Sequence, residues 1–244
     1  VGCIVICAGQ VNPTHHLWPE EVGDGEPELI IQYLHTFPYQ NPIGYVKDII
    51  SDSRFSDASK WVFITSYRAY ADLMRLHGLR AAHVPMMIDR SLVPSGMNDV
   101  ERAVWFGNIY ENKKQMFNRI RAEFNRAGIL LTVITKGMVN SKREVTQEGA
   151  FELIRHYTYG IGVGRCALEM YSMGLKVLVA GAEFGGLVMN DSDAQAQEAT
   201  NYNGRVLTWN RSIEDCIQML PHSHVPTLKD IREVNHVDII KSQL

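Results

Sequence analysis

Three observations predict an α/β protein built from two Rossmann-like, doubly wound units facing each other across a cleft, the first of them short. Apolar runs of strand length alternate with helix-period segments along the whole chain, the pattern of layers around a mainly parallel sheet. A polar, turn-rich stretch, Asp89-Arg90-Ser91-Leu92-Val93-Pro94-Ser95-Gly96-Met97-Asn98-Asp99, interrupts the 244 residues, and a fresh strand follows it. Finally, a glycine-rich turn, Gly160-Ile161-Gly162-Val163-Gly164, opens a short helix that runs into an apolar strand ending at Gly181. The expected domains are residues 1–90 and 91–244, with ligand at the carboxyl ends of the strands.

In chain order, the expected strands of the first half are Cys3–Ala8, Leu29–Tyr33, Trp61–Thr65 and Ala82–Pro85. Those of the second are Ala103–Phe106, Leu130–Thr135, a weak one at Tyr157–Ile161, and Leu175–Ala180. All are short apolar runs bounded by polar or turn residues. Helical periodicity selects Ile43–Ser51, Tyr67–His77, Asn112–Ala127, Gln147–Arg155, Arg165–Ser172, Ser192–Ala199 and Ser212–Met219. The proline- and acid-rich stretch Gly9–Pro27 reads as a loop, and the segment Val1–Gly9 as a first strand instead of a secretory leader.

Composition narrows the class. An apolar share of 45% and a charged share of 21% are those of an ordinary globular protein. No apolar run approaches the roughly 18 residues that a membrane span needs. The four cysteines, Cys3, Cys7, Cys166 and Cys216, form no Cys-x-x-Cys pair and read as thiols of a reducing cytoplasm. Net charge is −3, and residues 91–244 carry 17 side chains of each sign, a balance that argues against general duplex binding. A local cationic surplus between Glu101 and Ala127 is the solvated face of a helix, with polyanion binding the minority reading.

The glycine-rich turn carries the chemistry. It lets backbone N–H groups approach a ligand closely, and a helix start adds unpaired donors and a partial positive charge, a seat for a diphosphate. Glu169 lies one turn into that helix, where a carboxylate can bond a sugar hydroxyl. The combination suits a nucleotide-sugar better than a nicotinamide cofactor.

From about Pro27 to Met219 the order of motifs resembles GT-B glycosyltransferases, particularly the retaining group 1 branch. Ser56–Ser66 is similar to the family's last acceptor-domain strand, and Ala82-His83-Val84-Pro85-Met86-Met87-Ile88-Asp89 to its passage into the donor domain. In Val104-Trp105-Phe106-Gly107-Asn108-Ile109-Tyr110-Glu111-Asn112-Lys113 the resemblance implies that Gly107, position 108 and Lys113 hold the donor diphosphate. The family has Arg where this chain has Asn108, and Lys114 or Arg165 could compensate. In the family's Glu-x7-Glu element Glu169 matches the second carboxylate, the ribose ligand, and Gly164 the glycine before it. Ile161 stands at the first, which normally contacts the donor sugar. Gly185 and Gly186 resemble a donor-side Gly-Gly loop, and His35 the family's cleft-facing histidine. His15 and His16 read equally well as a polar loop pair.

The resemblance implies a hexosyltransferase whose catalytic groups are His35 and Lys113. Its donor site is Gly107, Asn108, Lys113, Gly164, Arg165, Glu169, Gly185 and Gly186. No metal or separate cofactor is implied: Asp191-Ser192-Asp193 reads as a loop and helix cap, and cations with backbone donors meet the charge on the departing diphosphate. The donor would be a nucleoside-diphosphate sugar, a UDP-sugar foremost. The acceptor hydroxyl would belong to a glycan, a small molecule or a hydroxymethylated DNA base. Ile161, Asn108 and the short first half support the alternative of a non-catalytic nucleotide-sugar-binding module. A sugar-nucleotide epimerase is a third reading.

Overall fold

The computed structural model describes residues 3–8, 29–34, 41–53, 57–135, 138–140, 143–204, 212–228, 230–234 and 236–244. They fall into two units, residues 1–85 with 235–244, and residues 86–234.

In the first unit, β1 (Cys3–Ala8), β2 (Leu29–Leu34), β3 (Trp61–Thr65) and β4 (Ala81–His83) form a four-stranded parallel sheet in the order β1-β2-β3-β4. Helix α1 (Pro42–Ser51) precedes β3, and α2 (Arg68–Leu76) precedes β4. The α1 start is encoded locally: the Asn41 side chain accepts from the Gly44 amide at 2.9 Å, and Pro42 fills the first turn, where its missing N–H costs nothing. Val46 and Ile49 of α1 and Tyr70 and Met74 of α2 share one buried cluster with Trp61 and Phe63. The strand order never reverses, so successive right-handed crossovers place both helices on one face. Among the described residues the first sheet is parallel with helices packed on it, the Rossmann-like α/β layering expected, and its strand order shows no reversal.

The second unit has the reversal. Its parallel core is β5 (Val100–Phe106), β6 (Leu131–Thr135), β9 (Tyr157–Gly162) and β10 (Lys176–Ala180), in the order β10-β9-β5-β6. Two short strands, β7 (Met138–Val139) and β8 (Arg143–Glu144), extend one edge, and β11 (Phe184–Leu187) pairs antiparallel with β10 at the other. Helices α4 (Gln147–Ile154) and α5 (Arg165–Ser172) contribute Phe151, Ile154, Leu168 and Met170 to the core on one face. On the other face α3 (Glu111–Arg126) and α7 (Ile213–Met219) bury Phe117, Ile120, Phe124 and Ile217 against Trp105 and Leu178. Full burial of each such side chain contributes about 1.5–3 kcal/mol. Helix α6 (Asp191–Ala199) starts at Asn190, whose side chain accepts from the Asp193 amide, while the Asp193 carboxylate accepts from the Met189 amide. Asp191 and Asp193 therefore lie in its first turn.

The chain ends in α8 (His236–Lys241), which belongs with the first unit. Beyond it, the Gln243 amide holds both backbone groups of His83: Oε1 accepts from the amide at 2.9 Å and Nε2 donates to the carbonyl at 2.8 Å. The His83 ring itself is buried, and its Nε2 and the Ser66 hydroxyl have no hydrogen-bond partner among the described residues. No described helix is long and apolar enough to cross a membrane.

Candidate functional site

The second sheet sets the location. The chain leaves β5 through α3 to β6 on one side, then returns through α4 to β9 on the other side of β5. Loops leaving adjacent parallel strands in opposite directions open a crevice at their carboxyl ends. Here those ends are Phe106 of β5 and Gly162 of β9, with the end of β10 next in line.

Gly107 begins the first loop. Its amide donates to the Ile134 carbonyl and its carbonyl accepts from Trp105 Nε1, both at 3.0 Å. A Cβ on Gly107 would sit 3.4 Å from Cys166 Sγ, so this loop lies directly on the first turn of α5. Lys113, in the first turn of α3, holds its ammonium 5.6 Å from the Tyr110 ring centroid. Its Cε lies 3.7 Å from where a Cβ on Gly181 would be, so the stem reaches across to the end of β10. Lys113 is half-buried and has no carboxylate partner among the described residues.

Gly164 connects β9 to α5. Its φ of 57° and ψ of −131° belong to backbone that residues with a Cβ avoid. That conformation aims its amide at the Tyr202 carbonyl, 2.8 Å away, and its own carbonyl accepts the first intrahelical bond from Leu168 at 3.2 Å. Glycine at the N-cap supplies no side chain to cap the helix. The first-turn N–H groups keep their partial positive charge for another acceptor.

Side chains of that helix are already paired with each other. Arg165 is largely exposed and donates from Nε to Glu169 Oε1 at 2.9 Å. The Glu169 side chain is only 5% exposed, which decides its role: in this conformation a ribose has little access to it. Burial raises the Glu169 pKa, and the Arg165 hydrogen bond and charge pull it partly back. Burial, and then the Glu169 charge, push the Cys166 thiol up to about 11, against an opposing pull from Lys113 and Arg165. Cys166 is therefore a neutral thiol near neutral pH, lying within the field of both cations. The Lys113 ammonium, the outward part of the Arg165 guanidinium and the first-turn amides form a donor set matched to a diphosphate.

Other expected site residues have different employment. Asn108 donates from Nδ2 to the Tyr110 hydroxyl at 3.0 Å and accepts from Thr135 Oγ1 at 3.2 Å, bracing the loops that follow β5 and β6. Gly185 and Gly186 lie buried within β11, not in a loop. A Cβ on Gly185 would come within 2.7 Å of Gly204 Cα, and its carbonyl accepts from Gln197 Nε2 at 3.0 Å. Close backbone packing accounts for that glycine. Ile161 has no exposure and pairs in register with Trp105, so no side chain at position 161 reaches a ligand from this register. His35, His15 and His16 lie outside the described residues. Sequence reasoning missed Tyr110, Thr135 and Tyr202, whose roles depend on contacts between distant segments.

A cavity of about 280 Å3 lies elsewhere in the same unit. It touches α5 through Leu168, and neither Lys113 nor Gly107 lines it. We place the candidate site at the switch point all the same, because the cations gather there. Comparison with protein-family models and with curated proteins finds no match to this chain.

Proposed function

We propose that this chain is a glycosyltransferase of the GT-B kind, moving a sugar from a nucleoside-diphosphate sugar to a hydroxyl acceptor. One observation carries the reading. An ammonium without a counter-ion among the described residues, Lys113, stands with the first turn of α5, whose N-cap glycine has no side chain, at the crevice where the strand order reverses. Departure of a nucleoside diphosphate places negative charge on its phosphates, and fixed cations and amides aimed there lower that barrier most. Lys113 supplies charge to the leaving group and Arg165 adds a second donor. Glu169 meets the ribose once Arg165 swings outward. With Ile161 in the core, the carboxylate that would contact the donor sugar must come from another position, so retention at the anomeric carbon rests on resemblance alone.

A non-catalytic nucleotide-sugar-binding module is the second reading, favoured by the buried Ile161 and the inward Glu169. Release of free UDP or GDP from a panel of donor sugars, with and without acceptors, separates the two. The transferase releases nucleotide and hands the sugar to an acceptor. Saturable nucleotide binding with no turnover on any donor identifies the module. Absence of nucleotide binding removes both.

A further inference from the structure

The cavity away from the switch point has its own chemistry. Met86, Ile88, Leu168, Tyr202 and Leu228 give it apolar walls. Its charged lining is Asp191 and Glu198 of α6, and no Lys, Arg or His side chain lines it among the described residues. Asp191 is exposed and 3.1 Å from His224 Nε2. Glu198 is partly buried, and its carboxylate has neither a hydrogen bond nor an ion pair among the described residues. A carboxylate without a counter-ion beside apolar side chains offers a place for a cation with an apolar body. Burial, and then the Glu198 carboxylate, hold the Tyr202 hydroxyl protonated, so it stays neutral and brings no charge of its own to the cavity.

We propose that this cavity binds a small organic cation, an ammonium or guanidinium on a short apolar stem, with Glu198 as its counter-ion. The volume of about 280 Å3 suits a small ligand, since it corresponds to roughly nine groups of water size at about 30 Å3 each. A stem of about six carbons covers the Met86, Leu168 and Leu228 surface while the charged end meets Glu198. Asp191 gives longer-range attraction at the mouth. The lining lies wholly within residues 86–228, and the proposal does not depend on the nucleotide reading.

Hexylammonium, hexanol and hexanoate, titrated into the full chain by calorimetry and amide NMR, test this directly. Hexylammonium is expected to bind at about millimolar Kd, at least fivefold tighter than hexanol, with hexanoate weakest. Amide shifts should gather at Leu168, Glu198, Tyr202 and Leu228. Glu198→Gln should bring hexylammonium down to the level of hexanol. Thr227→Arg, at an exposed lining position, should place a tethered cation at the mouth and weaken hexylammonium at least fivefold. Equal binding of all three compounds, no binding of hexylammonium, or an undiminished preference in Glu198→Gln would overturn the proposal.

Discussion

Replacing Lys113 with methionine isolates its charge from its packing. Methionine keeps an unbranched apolar stem to lie near Gly181, while the ammonium disappears. Two unit charges about 4 Å apart interact by about 4 kcal/mol at an effective dielectric near 20, and solvent at this half-buried position removes roughly half of that. The expected loss is about 2 kcal/mol, or about thirtyfold in Kd for UDP, GDP or inorganic pyrophosphate. Stability should change far less. The ammonium–Tyr110 contact at 5.6 Å is worth about 0.5–1 kcal/mol, and no ion pair is broken among the described residues. Isothermal titration at two salt concentrations, beside a thermal melt, reads both effects. Salt should weaken the wild-type affinity more steeply than that of the variant. Equal affinities in the two proteins would refute the reasoning, as would a melting drop large enough to explain the loss by unfolding.

Three further outcomes are expected. Gly164→Ala meets no atom closer than the Asn201 carbonyl at 3.9 Å, so its cost is backbone strain alone, about 1–3 kcal/mol, read as a lower thermal midpoint. Glu169→Gln should leave stability at neutral pH within about 0.5 kcal/mol while weakening nucleotide binding about tenfold. The sign follows from the raised folded-state pKa: ionisation as pH rises through that window disfavours the fold, and glutamine mimics the protonated form. Calorimetry and titration of the one variant check both parts. For His83 the shift is opposite. Burial, assisted by Arg68, lowers its pKa to about 4, so the unfolded chain binds the proton more tightly. The stability it contributes is complete above about pH 6.5 and is lost as pH falls toward 4, by about 1–2 kcal/mol after allowance for solvent screening. An NMR titration of the ring, together with a His83→Phe variant whose melts lack that acid slope, tests it.

Local signals made much of the fold legible. The strand at Trp61–Thr65 and the helix at Arg165–Ser172 have the expected bounds, because a β-branched apolar run and a glycine-led amphipathic segment each fix their own structure. The edges were not legible. Strands β7 and β8 are two residues each, too short for an alternation to register, and β11 carries the Gly-Gly that reads as a loop. Its strand character comes from pairing with β10 and from the close approach of Gly204, both long-range. Helix α8 spans six residues, under two turns, so periodicity could not identify it. At the site, sequence order located Lys113, Gly107 and the α5 turn around one crevice. It could not reveal that Arg165 and Glu169 satisfy each other, although their four-residue spacing is the signal for such a pair. Nor could it foresee the engagement of Asn108 by Thr135, which requires β5 and β6 to be neighbours.

The most direct measurement is an amide NMR titration of the full chain with pyrophosphate, followed by UDP. A phosphate seat at the switch point predicts that pyrophosphate alone shifts Gly107, Lys113, Arg165, Cys166, Ala167 and Gly181, and that UDP extends the set toward Glu169. Shifts confined to other surfaces, or no saturable change at those six amides, would contradict the account.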